Sequence, residues 1–248
     1  MKNDLLHFIE TTHSTNQLLS SIVQDHIISH TPLEEFYTLY TNFQTAGRGL
    51  SSNVWHSNKG ENILVSFYFT PPLTPSNQFV FNQFFTLSIR KMLSQYIEPV
   101  MIKWPNDIYI HHKKIAGILI EHSVRNNTIQ HTVAGVGINI NQTLFDSSLP
   151  NPTSLKLLTQ QDFSVKKLIM ELLETTQIYY DLVKSSRYAT LQDDYLNHLY
   201  LREEYHSYQI KEEFKEAKIK GINHFGQLLL QDKKGCHYCC GLKEVRFL

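Results

Sequence analysis

Cysteine is scarce in this 248-residue sequence, and its placement excludes a disulfide framework. Cys236, Cys239 and Cys240 lie together near the C-terminus. An odd number of cysteines in one short segment cannot link distant parts of the chain by disulfides. Cys236 and Cys239 have the spacing of a metal-binding pair, but no second pair accompanies them in the sequence, so we interpret them as strand residues. The expected setting is the reducing cytoplasm.

An excess of one charge and long apolar runs are missing as well. Lys and Arg total 23, as do Asp and Glu, so the formal net charge is zero, whereas nucleic-acid-binding domains normally carry a basic excess. No stretch approaches the ~20 consecutive apolar residues of a transmembrane helix, and no apolar run of a signal peptide follows the first residues. These absences predict a protein that binds neither DNA nor membranes.

Hydrophobic periodicity predicts an α/β (α+β) fold with a change of pattern near residue 200. Helices are expected at residues 14–28, 77–96, 165–183 and 188–199, and strands at 35–43, 63–69, 100–104, 108–110, 115–123 and 128–140. Short strands at 213–222, 227–231, 236–240 and 244–248 are typical of a small barrel. We therefore predict two domains, residues 1–200 and 201–248.

The stretch 103–107 reads Lys-Trp-Pro-Asn-Asp and is followed, after a short turn, by Lys-Ile-Ala-Gly at 114–117. Apolar residues on both sides predict buried strands, beside which charges must be paired or must meet a ligand. Lys103 and Lys114 near a single carboxylate, Asp107, leave positive charge that suits a phosphate. The alternative is a solvated polar turn, which fits Lys113 better than Lys114 because a packed strand begins directly behind Lys114.

Residues 44–49 read Gln-Thr-Ala-Gly-Arg-Gly and follow a predicted strand. Gly47 and Gly49 allow backbone N–H groups to approach a ligand closely, and Arg48 offers a fork for a carboxylate or phosphate. Trp55 adds a flat face on which a base could stack. A polar surface loop beside a core tryptophan explains the same residues.

Two further segments have two interpretations each. Ser14, Thr15 and Asn16 open the first predicted helix, where they could hydrogen-bond a small neutral polar group, although helix capping is the favoured interpretation. Gly135 and Gly137 fall near the end of a predicted strand, with Asn139 after them. Such glycines mark either the close approach of a ligand or a β-bulge.

Taken together and in this order, these segments resemble biotin protein ligases, the biotin–[acetyl-CoA carboxylase] synthetases. The resemblance is strong over residues 8–141 and looser over residues 221–248, which are similar to the family's small SH3-like domain. It implies a mixed sheet flanked by helices, as in class II synthetase-type catalytic domains, followed by an SH3-like barrel. It also implies the monofunctional type, because Phe8 lies near the first catalytic strand and leaves no room for a DNA-binding domain.

The resemblance implies an enzyme that joins biotin to ATP, which gives biotinyl-5′-AMP and pyrophosphate. The enzyme then passes the biotinyl group to one lysine of a biotin carboxyl carrier protein. Two anions meet in the first step, so fixed cations and Mg²⁺ would lower their repulsion. The Mg²⁺ is expected to be held mainly by phosphates, near Asn106. The resemblance leaves a homodimer open.

Site residues follow from the same resemblance. The implied catalytic residues are Lys114, Arg48 and Asp107, with Asp107 as a hypothetical base for the incoming amine. The residues implied to bind biotin are Ser14, Thr15, Asn16, Gln44, Gly47, Arg48, Gly49, Lys114 and Gly117. Those implied to bind ATP and the adenylate are Arg48, Trp55, Lys103, Asn106, Lys114 and Asn139.

One departure from the family pattern and three rival functions complete the expectations. Many relatives carry an arginine-rich loop after Gly-Arg-Gly, whereas residues 50–53 here are Leu-Ser-Ser-Asn, so we expect weaker ordering of this loop and faster escape of the adenylate.

The rival functions are those of a lipoate or octanoate ligase of the same superfamily, a non-catalytic biotin-binding regulator and a generic nucleotide-binding module. The Gly-Arg-Gly…Trp and Lys-Trp-Pro-Asn-Asp segments favour biotin, and intact Lys114, Arg48 and Asn106 argue against a regulator.

Overall fold

A computed structural model describes residues 3–50 and 53–248 of the chain, and a seven-stranded mixed sheet organises most of it. Its strands are β1 (Leu6–Thr12), β2 (Thr38–Gln44), β3 (Ile63–Phe69), β4 (Val100–Lys103), β5 (Asp107–Ile110), β6 (Lys113–Arg125) and β7 (Thr128–Ile138). Their order is β1-β2-β3-β7-β6-β5-β4. β1 and β2 are parallel, and the other neighbours are antiparallel.

Helices cover both faces of this sheet. They are α1 (Thr15–Ile28), α2 (Phe79–Leu93), the short α3 (Leu155–Thr159), α4 (Val165–Lys184) and α5 (Tyr188–Asn197). The large core lies between the sheet and α2, α4 and α5, where Phe67 and Phe69 of β3 meet the aromatic rings of Phe81, Phe84 and Phe85. Because side chains alternate along a strand, the intervening Tyr68 points to the opposite face. There it packs with Leu19 and Val23 of α1 in a smaller cluster.

A second, five-stranded antiparallel sheet follows. Its strands are β8 (Tyr205–Ile210), β9 (Glu213–Ile222), β10 (Leu228–Asp232), β11 (His237–Cys240) and β12 (Val245–Phe247), in the order β11-β10-β9-β8-β12. The expected barrel is an open sheet, because the short edge strands β11 and β12 do not pair with each other in the described residues. Its buried side chains join the large core, and Trp104 Nε1 donates to Gly226 O at 2.9 Å across the two sheets.

The predicted fold class is confirmed, and the differences concern weakly patterned segments. β1 was not predicted as an element because it is an edge strand of mostly half-exposed residues. β2 begins three residues later than predicted because Phe36 has a φ of +68°. β8 lies where the domain boundary was expected, and the division into residues 1–200 and 201–248 stays a prediction. Within residues 3–50 and 53–248, no helix is long and apolar enough to cross a membrane.

Candidate functional site

Three glycines create a hollow on the α1 face of the large sheet. Gly117 of β6 and Gly135 and Gly137 of β7 alternate with core residues that point to the other face. A methyl group on Gly135 would collide with Asn16 Oδ1, and one on Gly137 would collide with the Trp55 ring. The β3–β7 and β6–β7 ladders are regular at Gly135 and Gly137, so the bulge interpretation is wrong here. These glycines make room for side chains at the site.

The beginning of α1 forms one wall of this hollow. Ser14 is the N-cap residue, but its side chain makes no capping hydrogen bond, so the favoured capping interpretation is wrong for Ser14. Gln44, at the end of β2, supplies the cap, because its Oε1 accepts from the Thr15 N–H at 2.8 Å and from Thr15 Oγ1 at 3.1 Å. The Ser14 residue is 2% exposed and lines the cavity. Its hydroxyl therefore remains available to a ligand.

A hydrogen-bond network links this wall to Arg48. Ser66 Oγ donates to Asn16 Oδ1 at 2.6 Å, and Asn16 Nδ2 donates to Glu121 Oε2 at 2.8 Å. The other Glu121 oxygen accepts from Arg48 Nη2 at 2.9 Å. The Asn16 side chain is therefore fixed by hydrogen bonds at both ends, and the Glu121 carboxylate connects it to the Arg48 guanidinium.

The opposite wall carries the second cation. Lys114 Nζ lies 2.8 Å from Asp107 Oδ1, 5.8 Å from the centre of the Trp55 ring and directly over Gly117. The neighbouring Asn106 is locked to β6, because its Nδ2 donates to Ile118 O at 2.6 Å and its own O accepts from the Ile118 N–H at 3.0 Å. The hairpin thus holds Lys114 and Asp107 in the cavity as a pair.

A second cavity adjoins the first on the far side of Trp55. Lys114 and Trp55 line both cavities, and Asn139 lines only the second. Asn139 Nδ2 donates to Thr153 O at 2.9 Å, and the backbone around Pro152 pairs with Lys114. The remaining wall is largely apolar, and it includes Val54, Phe145, Leu149, Pro150 and Pro152.

Most of the predicted site residues line the first cavity. The first cavity brings together Ser14, Thr15, Asn16, Gln44, Arg48, Gly49, Trp55, Asn106, Asp107, Lys114 and Gly117. Gly47 lies beneath it, where a methyl group would collide with the Trp55 backbone, and Asn139 belongs to the second cavity. Lys103 does not line either cavity. Its Nζ donates to Tyr109 Oη at 3.2 Å, and burial lowers the pKa of Lys103.

Several site residues were not predicted from the sequence. Glu121 and Ser66 were missed because single polar residues in apolar strands carry no local signal. Phe145, Leu149, Pro150 and Pro152 were missed as well, although apolar residues in a segment without helix or strand periodicity are a usable signal.

The indole Nε1 of Trp55 is buried and has no hydrogen-bond partner in the described part of the chain. Ser51 and Ser52 lie outside the described residues, whereas Leu50 and Asn53 line the first cavity.

The described residues contain no group of three or more His, Cys, Asp or Glu side chains that could hold a metal ion. At the first cavity the carboxylate that lines the wall is Asp107, and Asn106 keeps its Oδ1 free of hydrogen bonds within the described part. Mg²⁺ is commonly bound through one or two carboxylates and substrate phosphates. Asp107 and Asn106 therefore fit a Mg²⁺ ion that is bound mainly through nucleotide phosphates, and these two side chains do not form a complete metal site by themselves.

Comparison with known proteins identifies the family. The model of the biotin/lipoate A/B protein ligase family matches residues 8–139, which is more than half of the chain. The chain belongs to this family. The matched segment contains α1, the Gly-Arg-Gly loop and the Lys103–Gly117 hairpin, so the family match and the cavity coincide.

Individual relatives agree with this assignment. The bifunctional ligase/repressor BirA of Bacillus spizizenii is 41% identical over 106 residues, which cover 40% of this chain and 31% of that protein. The biotin–protein ligase of Schizosaccharomyces pombe is 27% identical over 191 residues, which cover 64% of this chain and 29% of that protein. The matches thus span about a third of these curated relatives.

The fold of the family extends over the whole chain. The biotin protein ligase of Aquifex aeolicus, solved in complex with biotin and ATP, superimposes with a TM-score of 0.78 at 22% identity. That superposition covers 98% of this chain and 99% of the Aquifex chain. It includes the second sheet, so this sheet is part of the fold that the two chains share.

Proposed function

We propose that this protein is an ATP-dependent biotin–protein ligase. Its first reaction converts biotin and ATP into biotinyl-5′-AMP and pyrophosphate, and its second transfers the biotinyl group to a lysine of a biotin carboxyl carrier protein. The observation that carries the proposal is the position of Lys114, whose ammonium belongs to both cavities and lies 2.8 Å from Asp107. A cation at such a junction can contact a carboxylate in one cavity and a phosphate in the other.

The first cavity suits the neutral polar head group of biotin. It presents the free Ser14 hydroxyl and the Gln44 side chain, whose Nε2 remains available because Oε1 is used by Thr15. The apolar rings and chain of biotin would extend from these two groups through the first cavity toward Lys114, which lines the same cavity.

The second cavity suits an adenine base. It is lined by Trp55 and by apolar side chains such as Phe145 and Pro152, and the amide of Asn139 supplies polarity. Bases stack on aromatic faces and are selected by a few hydrogen bonds. The α-phosphate would then lie near Lys114, with Arg48 on the far side of the first cavity.

The chemistry of the first step follows from charge. A biotin carboxylate oxygen attacks the α-phosphorus, the bond to the bridging oxygen of the β-phosphate breaks, and pyrophosphate leaves with the electron pair. Fixed cations favour this step because they offset the repulsion between the two anions and stabilise the charge that spreads over the phosphate oxygens. Mg²⁺ bound to the phosphates supplies further positive charge there.

In the second step, the acceptor lysine amine attacks the acyl carbon, and AMP leaves. The amine must lose a proton, and Asp107 is the carboxylate of the cavity wall that can accept it. The biotin-dependent carboxylase that supplies the acceptor is proposed to be acetyl-CoA carboxylase, in line with the sequence resemblance.

A lipoate or octanoate ligase is the alternative from the same family, and one experiment separates the two. The purified protein is incubated with ATP and Mg²⁺, and with biotin, lipoate or octanoate in parallel, and the products are identified by mass spectrometry. We expect an acyl adenylate and pyrophosphate with biotin alone. An adenylate formed only from lipoate or octanoate would contradict the proposal, and no adenylate from any acid would indicate a non-catalytic binding protein.

The loop after Gly49 is proposed to hold the adenylate weakly. Leu50 and Asn53 line the first cavity, and in many relatives this loop is rich in arginine. We expect Leu50→Arg to slow release of the adenylate about threefold to tenfold because it adds a charge-assisted contact, whereas Leu50→Gln leaves the release rate unchanged. Displacement of labelled adenylate by excess unlabelled biotin and ATP measures the rate, and equal rates for both variants would contradict the proposal.

A further inference from the structure

Lys103 lies beside the site in an environment unlike that of the other two cations. Arg48 and Lys114 are paired with Glu121 and Asp107, at 2.9 Å and 2.8 Å. Lys103, by contrast, makes no ion pair with any residue in the described ranges. No carboxylate contact within the described ranges therefore neutralises the positive charge of Lys103.

Two aromatic rings hold the Lys103 ammonium instead. Nζ lies 4.7 Å from the centre of the Tyr109 ring and 5.0 Å from that of Phe247, and it donates to Tyr109 Oη at 3.2 Å. A ring attracts an ammonium through its quadrupole, most strongly where water is partly excluded. The rings therefore fix the position of the cation without cancelling its charge.

The two rings come from different sheets. Tyr109 belongs to β5 of the large sheet, and Phe247 belongs to β12 at the edge of the second sheet. Phe247 is held in turn by Tyr208 of β8, which is its register partner and is fully buried, with the ring centres 5.2 Å apart. The second sheet thus determines where the Phe247 ring lies.

Lys103 is also electrostatically coupled to the site. It is the register partner of Asp107 in the β4–β5 hairpin. Burial lowers the pKa of Lys103, while Asp107 opposes that effect and Lys114 adds to it, so all three groups interact. A phosphate group bound near Lys114 would therefore come within the field of Lys103.

We propose that Phe247 is a positioning residue for nucleotide binding: the last strand of the second sheet holds the Lys103 ammonium, which no described carboxylate contacts, toward the β- and γ-phosphates of ATP. This inference rests on the proposed ligase function. It gives the second sheet a role in adenylate formation through an apolar side chain.

The test compares Phe247→Leu, which keeps apolar volume but removes the ring face, with Phe247→Tyr, which restores a ring. We expect Phe247→Leu to raise the KM for ATP about threefold to tenfold, with little change in the KM for biotin, and Phe247→Tyr to restore most of the loss. Phe214→Leu is the matched control, because Phe214 lies in the same sheet and is 72% exposed. Its ATP kinetics should equal those of the unmodified chain.

A double-mutant cycle distinguishes positioning from a general structural effect. In a Lys103→Met background, Phe247→Leu should have no further effect on the KM for ATP, because the residue on which Phe247 acts is gone. An equal rise of KM in both backgrounds would overturn the proposal. A KM for ATP in Phe247→Tyr as high as that in Phe247→Leu would overturn it as well.

A measurement without catalysis separates this inference from the proposed function. Reductive methylation with ¹³C-formaldehyde labels the lysines, and the Lys103 signal is identified by its loss in Lys103→Arg. We expect an upfield ring-current shift of this signal that decreases in Phe247→Leu and stays in Phe214→Leu. If this shift is present but no biotinyl adenylate forms, the contact stands and the ligase function fails. If Phe247→Leu leaves the shift unchanged, the contact itself is refuted.

Discussion

At the scale of single residues, the site combines cations with carboxylates that hold them. Lys114 is 31% exposed and Asp107 24% exposed, so their attraction is only partly screened by water. Arg48 and Glu121 are more open, at 42% and 35%, and their pair is correspondingly weaker. If a phosphate binds here as proposed, it meets cations whose positions are already set, which lowers the cost of reorganisation.

The first prediction concerns Lys114. Lys114→Ala should lower the rate of pyrophosphate release with biotin and ATP about 10²-fold to 10³-fold, because a cation at the reacting phosphate is lost. Lys113→Ala is the matched control, since Lys113 is the adjacent residue and is exposed. Its rate should equal that of the unmodified chain. An unchanged rate in Lys114→Ala would rule out the assigned role.

The second prediction separates the two half-reactions. Asp107→Asn keeps the shape of the side chain but removes the proposed base, so transfer from preformed biotinyl-5′-AMP to the acceptor should slow about 10²-fold. Adenylate formation should fall much less. Single-turnover measurements with purified adenylate test this, and a transfer rate equal to that of the unmodified chain would show that Asp107 is not the base.

At the scale of secondary-structure elements, alternation along β3, β6 and β7 gives the sheet two unlike faces. One face carries Phe67, Phe69 and Ile118 into a dense core, whereas the other carries Gly117, Gly135 and Gly137. Because these glycines carry no side chains, the Asn16 and Trp55 side chains lie directly against the sheet, and α1 borders the cavity only at its first turn. The cavity is thus a product of strand periodicity.

The third prediction uses these glycines in a graded series. Gly137→Ala would force its methyl group into the Trp55 ring, whereas Gly117→Ala meets Trp55 Cζ3 at 3.0 Å and Lys114 Nζ at 3.3 Å. We expect Gly137→Ala to weaken biotin binding more than tenfold and Gly117→Ala to weaken it less, because the Gly137 methyl group would overlap the Trp55 ring, whereas the Gly117 methyl group requires its neighbours to shift only slightly. Isothermal titration calorimetry measures both, and the reverse order would contradict the geometry.

At the scale of the whole molecule, the two sheets share one core. Tyr208, Ile219 and Leu230 of the second sheet belong to the same apolar cluster as the phenylalanines under the large sheet. Between the sheets lies an apolar cleft lined by Trp104, Phe79 and His122, among others. Because apolar surface is buried across the junction, we expect the two sheets to unfold together.

The fourth prediction concerns the acid sensitivity of this assembly. Burial lowers the pKa of His122 to about 4, so below its ordinary pKa the unfolded chain takes up a proton that the folded protein resists. The contribution of neutral His122 to the free energy of unfolding is therefore complete above about pH 6.5, and it is lost as the pH falls toward 4. At pH 5 the free energy of unfolding should be lower by about 1 to 2 kcal/mol than at pH 7.5 because of His122.

Urea unfolding of the unmodified chain and of His122→Gln at both pH values measures this loss. Other titrating groups affect both proteins alike, so the difference between the two losses isolates His122. We expect His122→Gln to lose less stability between pH 7.5 and pH 5. Equal losses would show that His122 takes up its proton without opposing folding.

The amino-acid sequence by itself determined most of the elements, the ordered motifs and the family, because periodicity and short motifs are local properties. Only the tertiary structure decided that Gln44 caps α1 in place of Ser14, that Glu121 binds Arg48, and that Lys103 lies against Phe247. The partners in these contacts are 29, 73 and 144 residues apart. No local pattern specifies such pairs, since they arise only when packing of the core brings distant strands into register.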